Sequence, residues 1–291
     1  IDVYRRDLRP LDSLLDYAFY VSFFPQLVAG PIVRARDFIP QIRRPLYVSS
    51  EMFGQGIFLI VSGLFKKAVI SDYISVNFVE RIFDNPGLYS GVENLFGVYG
   101  YALQIYCDFS GYSDMAIGLG RIFGFNFPEN FNYPYISKSI TEFWRRWHIS
   151  LSTWFKDYVY IPLGGNRDGK YKQIRNILIV WLLTGIWHGA NWTFLIWGLL
   201  FGILLIIEKI FLNKFMEKLP SFIRRIYVLF IVMILFVIFN SDNMSEALIN
   251  IKGLFGMNLK DINYYLPLYT SLFKELFTNI NYCYIWGYSF Y

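Results

Sequence analysis

Residues 176–207 run for 32 positions without a charged side chain. As one helix rising about 1.5 Å per residue, that run would be about 48 Å long, against a bilayer hydrocarbon core of about 30 Å. It therefore has to bend. The bend is written at residues 185–191, Gly-Ile-Trp-His-Gly-Ala-Asn, where two glycines and an asparagine interrupt a helix rich in Leu, Ile and Trp. On one side, residues 137–175 carry eight Lys or Arg and three Asp or Glu; on the other, residues 208–225 carry five and two. The positive-inside rule puts both flanks in the cytoplasm. The segment then enters the membrane and returns, and His188, 13 residues past Arg175, lies about 20 Å in along a straight helix. His188 is predicted to be buried in the membrane.

The rest of the chain agrees with a membrane setting. Of its 291 residues 55% are hydrophobic and only 17% charged, below the quarter or so usual in soluble domains. Further uncharged stretches occur at residues 17–33, 52–65, 94–107 and 226–241, with weaker ones after Asp261. Several are shorter than the roughly 20 residues of a span, and Phe24-Pro25 and Gly30-Pro31 break the first. Breaks of that kind persist at membrane depth only where protein buries them or a cavity wets them. The expectation is an all-α polytopic transmembrane bundle with re-entrant and broken helices, organised as a single domain over 1–291. Residues 226–241 should cross outward and leave 242–261, with three acidic and two basic side chains, on the outer side. The net charge of +5 is then loop charge beside spans, and no nucleic-acid-binding module is visible. The sequence opens on Ile1 with no signal-peptide pattern, so it is expected to start partway into a longer protein. Cys107 and Cys283 have no second Cys or His at metal-ligand spacing and read as packing residues.

The chain has two histidines, His148 and His188. An ionisable side chain at membrane depth is costly and normally faces a cavity or the bundle interior; with Gly185 and Gly189 opening room beside it, His188 reads as functional ahead of a packing histidine. A neutral imidazole in apolar surroundings is what a general base needs. His148 lies in an aromatic and basic stretch, Trp144-Arg145-Arg146-Trp147-His148, which by itself reads as an interfacial anchor with Trp at headgroup level and Arg snorkelling. The net +5 of residues 137–175 suits either anionic lipid or a phosphate-rich ligand. Other chemistries lose support. Residues 164–170 have the spacing of a phosphate loop, but Tyr171 replaces the magnesium-binding Ser or Thr and no strand precedes, so a turn is expected. No G-x-S-x-G elbow or H-E-x-x-H occurs, and two isolated histidines do not make a metal site. Asp108 and Asp114, six residues apart, point to different helix faces and are expected to orient neighbours singly rather than share a proton.

Residues 143–152 (FWRRWHISLS), 154–167 (WFKDYVYIPLGGNR) and 184–191 (TGIWHGAN) together resemble the membrane-bound O-acyltransferase superfamily. Residues 19–42 (FYVSFFPQLVAGPIVRARDFIPQI) and 107–120 (CDFSGYSDMAIGLG) are similar to its bacterial branch of alginate and cell-wall O-acetylation proteins. The likeness covers about residues 1–210, and 137–198 is its most diagnostic part. It implies a multi-pass protein of the bacterial inner membrane, with further hydrophobic helices before and after the present chain. It implies His188 as the invariant catalytic histidine and His148 as the second, frequently shared one. It also implies an acyl donor approached from the cytoplasm, an acceptor hydroxyl reached from outside, and extracytoplasmic proteins that present the glycan or relay the acetyl group. The expected donor is acetyl-CoA, its phosphates held by Arg145, Arg146, Lys156, Arg167, Lys170 and Lys172, and the expected acceptor an exported polysaccharide or cell-wall glycan. The stretch 160–167 is expected to set the chain apart from D-alanyl-transferring relatives. A transporter or flippase, and a catalytically silent scaffold of a secretion complex, are the rival classes.

Overall fold

A computed structural model describes residues 1–27 and 29–257 of the chain; Cys283, the apolar stretches after Asp261 and the end of 242–261 lie outside the described residues. The described residues are helical, without a strand. In chain order the principal helices are α1 (Leu14–Ser22), α2 (Ala35–Ile42), α3 (Ser50–Leu64), α4 (Gly91–Ile122), α5 (Ile140–Arg146), α6 (Ile149–Phe155), α7 (Lys170–His188), α8 (Trp192–Ile207), α9 (Ser221–Asn240) and α10 (Met244–Leu254). α3 continues through π-helical turns as far as Asp84, and α8 continues in the same way to Met216. Trp192–Met216 and Ser221–Asn240, with mean hydropathies of 2.3 and 2.5, are long and apolar enough to cross a membrane.

The first uncharged stretch is broken as its prolines and glycine require. α1 stops at Ser22, a 3-10 turn covers Phe24–Gln26, and Arg34 is extended before α2 begins. Phe23, Phe38, Phe125 and Phe127 gather into a small aromatic core beside this break.

Charge does not end the helices where an uncharged-run reading ends them. The stretch 94–107 belongs to α4, which runs on to Ile122 through Asp108 and Asp114, because each carboxylate meets a lysine of the facing π-helical turn: Lys67 on Asp108 and Lys66 on Asp114, both at 2.6 Å. The two aspartates thus serve separate partners, as their spacing requires. Likewise α7 starts at Lys170 rather than Asn176, and Glu208 lies inside the continuous α8 helix at 1% exposure, not in a flanking loop.

The predicted bend is present. α7 ends at His188, Gly189 adopts a φ of +155° that favours glycine, and Asn191 caps α8 by accepting the Thr193 N–H. α7 and α8 return on each other as a tight hairpin. A Cβ on Gly185 would stand 2.6 Å from the Phe194 carbonyl oxygen, and one on Gly198 would collide with the Trp181 carbonyl, so small residues allow the two backbones to touch. The 164–170 stretch is a turn that follows a π-helical segment, with Gly164, Gly165 and Gly169 at positive φ.

The main core gathers α4, α5, α7, α8 and α9 around Tyr101, Phe143, Trp144, Trp197 and Phe236. This overturns the interfacial reading of 144–148. Trp144, Trp147 and His148 are 8%, 5% and 4% exposed, since α5 and the corner after it pack these rings into the core rather than leaving them on the surface.

Candidate functional site

The site grows from the corner between α5 and α6. Ser139 caps α5 by accepting the Glu142 N–H at 2.9 Å, while Glu208 reaches over from the α8 helix to accept the Ile140 N–H at 2.8 Å and the Thr141 N–H at 3.0 Å. A buried carboxylate from another helix thus satisfies two of the donors that a helix start leaves unpaired. Burial works to raise the Glu142 carboxyl, but the Lys138 N–H and the Arg146 guanidinium outweigh it and hold the group below the usual carboxylate range. After α5, Trp147 is extended and His148 takes the left-handed conformation (φ 45°, ψ 55°) before α6 starts.

His148 is held by polar contacts from distant parts of the chain. Its Nδ1 lies 3.1 Å from Asn130 Oδ1, which also accepts the Ser150 N–H at 3.2 Å and the Ser150 hydroxyl at 2.9 Å. Asn130 Nδ2 donates to Ser113 Oγ at 3.1 Å, and Ser150 Oγ accepts the Ile32 N–H at 3.0 Å. On the ring's other contacts, Phe109 is edge-on at 4.7 Å and Trp187 lies at 6.0 Å.

His188, at the last position of α7, is partly buried in an aromatic cup. Trp197 and Phe239 meet it edge-on at 5.0 and 5.2 Å, and Trp187 at 4.9 Å. Trp187 touches both imidazoles, and the two histidines are near enough for the charge of one to bear on the other. The fold therefore brings together the two histidines singled out by sequence.

A cavity of about 740 Å³, lined by Ile149 next to His148 in sequence but by neither histidine, lies among the same helices. One wall is α7, from Ile177 through Trp181 to Thr184, one helical turn short of His188; Lys209 and Asn213 line it from the part of α8 farthest from the hairpin turn. Arg145, Lys156 and Tyr160 add polar groups, and Trp144, packed on Trp181 at 4.6 Å and on Phe201 at 4.9 Å, forms the apolar wall. Arg145 and Lys209 are within electrostatic reach of one another.

Of the six basic residues proposed from sequence to hold phosphates, Arg145 and Lys156 line this cavity. The other four do not. Arg146 points to the other side of α5, where it meets Glu142 at 3.0 Å and the Asn132 carbonyl at 3.1 Å; Lys172 pairs with Asp168 at 3.4 Å; Arg167 is exposed on the turn before α7 and Lys170 is exposed at its first residue. Sequence reasoning missed Lys209, hidden in a flank read as loop, and Asn130, whose neighbours Glu129 and Asn132 make it look like an ordinary turn residue.

Comparison with known proteins places the chain in a family. The family model described as MBOAT, membrane-bound O-acyltransferase family, matches residues 6–245. The chain is 43% identical over 266 residues to a probable alginate O-acetylase of Azotobacter vinelandii, covering 90% of this chain and 53% of that protein. It is 42% identical over 253 residues to a peptidoglycan O-acetyltransferase of Helicobacter pylori, covering 85% and 48%. Against a teichoic acid D-alanyltransferase of Bacillus subtilis it is 34% identical over 226 residues, covering 73% and 55%. The chain thus spans about half the length of the curated relatives it matches. With the family model matched over most of its length, the chain belongs to the membrane-bound O-acyltransferase family.

Proposed function

We propose that the chain is the reaction-centre part of a membrane-embedded O-acyltransferase of the bacterial inner membrane, which moves an acetyl group from cytoplasmic acetyl-CoA to hydroxyls of an exported polysaccharide or cell-wall glycan. The observation that carries the reading is the cavity that starts among Arg145, Lys156 and Lys209 and ends one turn from His188. Its cationic end suits the phosphates of the donor through charge-assisted hydrogen bonds. Its apolar end suits the thioester and keeps water from competing with the acceptor.

The chemistry assigned to the site is a direct transfer. A nitrogen of His188 takes the proton of the acceptor hydroxyl while the hydroxyl oxygen bonds to the thioester carbonyl carbon. The C–S bond then breaks, sulfur leaves with the electron pair, and the imidazolium returns its proton to give the free thiol. One C–O bond replaces one C–S bond and the base ends neutral. His148 orients donor or acceptor rather than acting as the base. The acceptor class rests on the alginate O-acetylase and peptidoglycan O-acetyltransferase relatives, which are closer in identity than the D-alanyltransferase. In this reading residues 137–175 face the cytoplasm, and extracytoplasmic proteins present the glycan.

The test is thiol release from acetyl-CoA by the full-length protein in liposomes. General-base catalysis is worth about 10²- to 10⁴-fold, so His188→Ala should lose at least about 10²-fold in turnover while membrane insertion persists. Substrate flux across the liposome with no thioester consumed would identify a transporter instead.

A further inference from the structure

Asn130 is 1% exposed and belongs to none of the recognised motifs, yet both polar atoms of its side chain have partners. Its Oδ1 faces the Ser150 N–H, the Ser150 hydroxyl and His148 Nδ1, and its Nδ2 faces Ser113 Oγ. The amide orientation follows from the Ser150 main chain. A backbone N–H can only donate, so the atom 3.2 Å from it has to be the oxygen; the reversed amide would set NH₂ against N–H. The Ser150 hydroxyl agrees, because it accepts the Ile32 N–H and gives its own proton to Asn130. With an oxygen fixed opposite Nδ1, that ring nitrogen carries the hydrogen, and Nε2 keeps its lone pair. Nε2 has no hydrogen-bond partner among the described residues.

A second observation meets the first at the same residue. His148 has a left-handed backbone, with φ at 45°, a conformation that persists in a bulky residue only where its surroundings impose it. Asn130 supplies much of that restraint. Its main-chain carbonyl accepts the Ile149 N–H at 2.9 Å, and its side chain holds the Ser150 N–H, so the two amides that follow His148 are both tied to one residue.

We propose that Asn130 is the positioning residue of His148, holding the imidazole as the Nδ1–H tautomer so that Nε2 is presented as a hydrogen-bond acceptor in the reaction centre. The role rests on the reading of His148 as part of that centre. Asn130 acts through His148, and Ser113, Ser150 and the Ile32 main chain keep its amide from turning.

The experiment is ¹⁵N NMR of histidine-labelled full-length protein in nanodiscs, with the His148 signals assigned by their loss in His148→Gln. A hydrogen on Nδ1 and a bare Nε2 are expected. Asn130→Leu should abolish that tautomer preference and lower kcat for thiol release from acetyl-CoA about 10²-fold, while the donor KM stays within about twofold. Asn130→Asp, which keeps an oxygen acceptor, should restore the Nδ1–H form and part of the turnover. An Nε2–H tautomer in the wild-type protein would overturn the proposal, as would a wild-type spectrum from Asn130→Leu. Both spectra are read without turnover, so an Nδ1–H spectrum from a protein that releases no thiol would count against the proposed transferase activity and not against the role of Asn130.

Discussion

At the scale of single residues, the site separates side chains of the same type by what they touch. Arg145 and Arg146 are adjacent on α5, yet Arg145 lines the cavity with Lys209 while Arg146 is spent on Glu142 and the Asn132 carbonyl. Substituting Arg145 and Lys209 by Gln should therefore raise the donor KM by at least tenfold, the equivalent of about 1.4 kcal/mol, and leave the acceptor KM unchanged. Arg146→Gln should leave the donor KM near that of the wild type. Steady-state kinetics with acetyl-CoA as the varied substrate decides it, and a donor KM that responds to Arg146 but not to Arg145 and Lys209 would move the donor site elsewhere. Both histidines were legible in the sequence because the chain has no others and because glycines flank one of them. Asn130 was not, since its meaning depends on Ser113, Ser150 and His148, which only tertiary contacts bring to it.

At the scale of elements, the α7–α8 hairpin was readable from length and glycine: an uncharged run too long for a bilayer has to turn, residues 185–191 cluster two glycines and an asparagine, and the turn falls at Gly189. The helix ends were not readable, because an uncharged run stops at the first charge whereas a helix continues when that charge finds a partner. Glu208 is the clearest case. In sequence it opens a basic flank; in the fold it caps α5 from within α8. Glu208→Ala leaves the buried Ile140 N–H without an acceptor, at about 1–3 kcal/mol, and the part-buried Thr141 N–H as well, and should lower the melting temperature of the full-length protein in detergent, with Glu208→Gln recovering part of the loss. No change in either variant would mean that α5 is held by its aromatic packing alone. That packing is itself a lesson. An aromatic and basic string looks interfacial in one dimension, and the burial of Phe143 and Trp144 shows that the short α5 turns its aromatic face into the core.

At the scale of the whole molecule, stretches far apart in sequence converge on one small volume. Ser113 of α4 and His148 and Ser150 of the α5–α6 corner are joined through Asn130, Ile32 of the first broken segment joins them through Ser150, and α7 brings Trp187 and His188 against the same corner. The likeness between motifs was visible along the chain, but their meeting point needed the fold. In the proposed function, the cavity takes the acyl donor from Arg145 and Lys209 to Thr184, one turn from His188. The most direct measurement is the structure of the full-length protein with a non-cleavable thioether analogue of acetyl-CoA bound. The phosphates are expected beside Arg145 and Lys209, the chain along α7 past Thr184, and the acetyl group against His188. An analogue bound on the Arg146 or Lys172 face, or with its acetyl group directed away from His188, would contradict it.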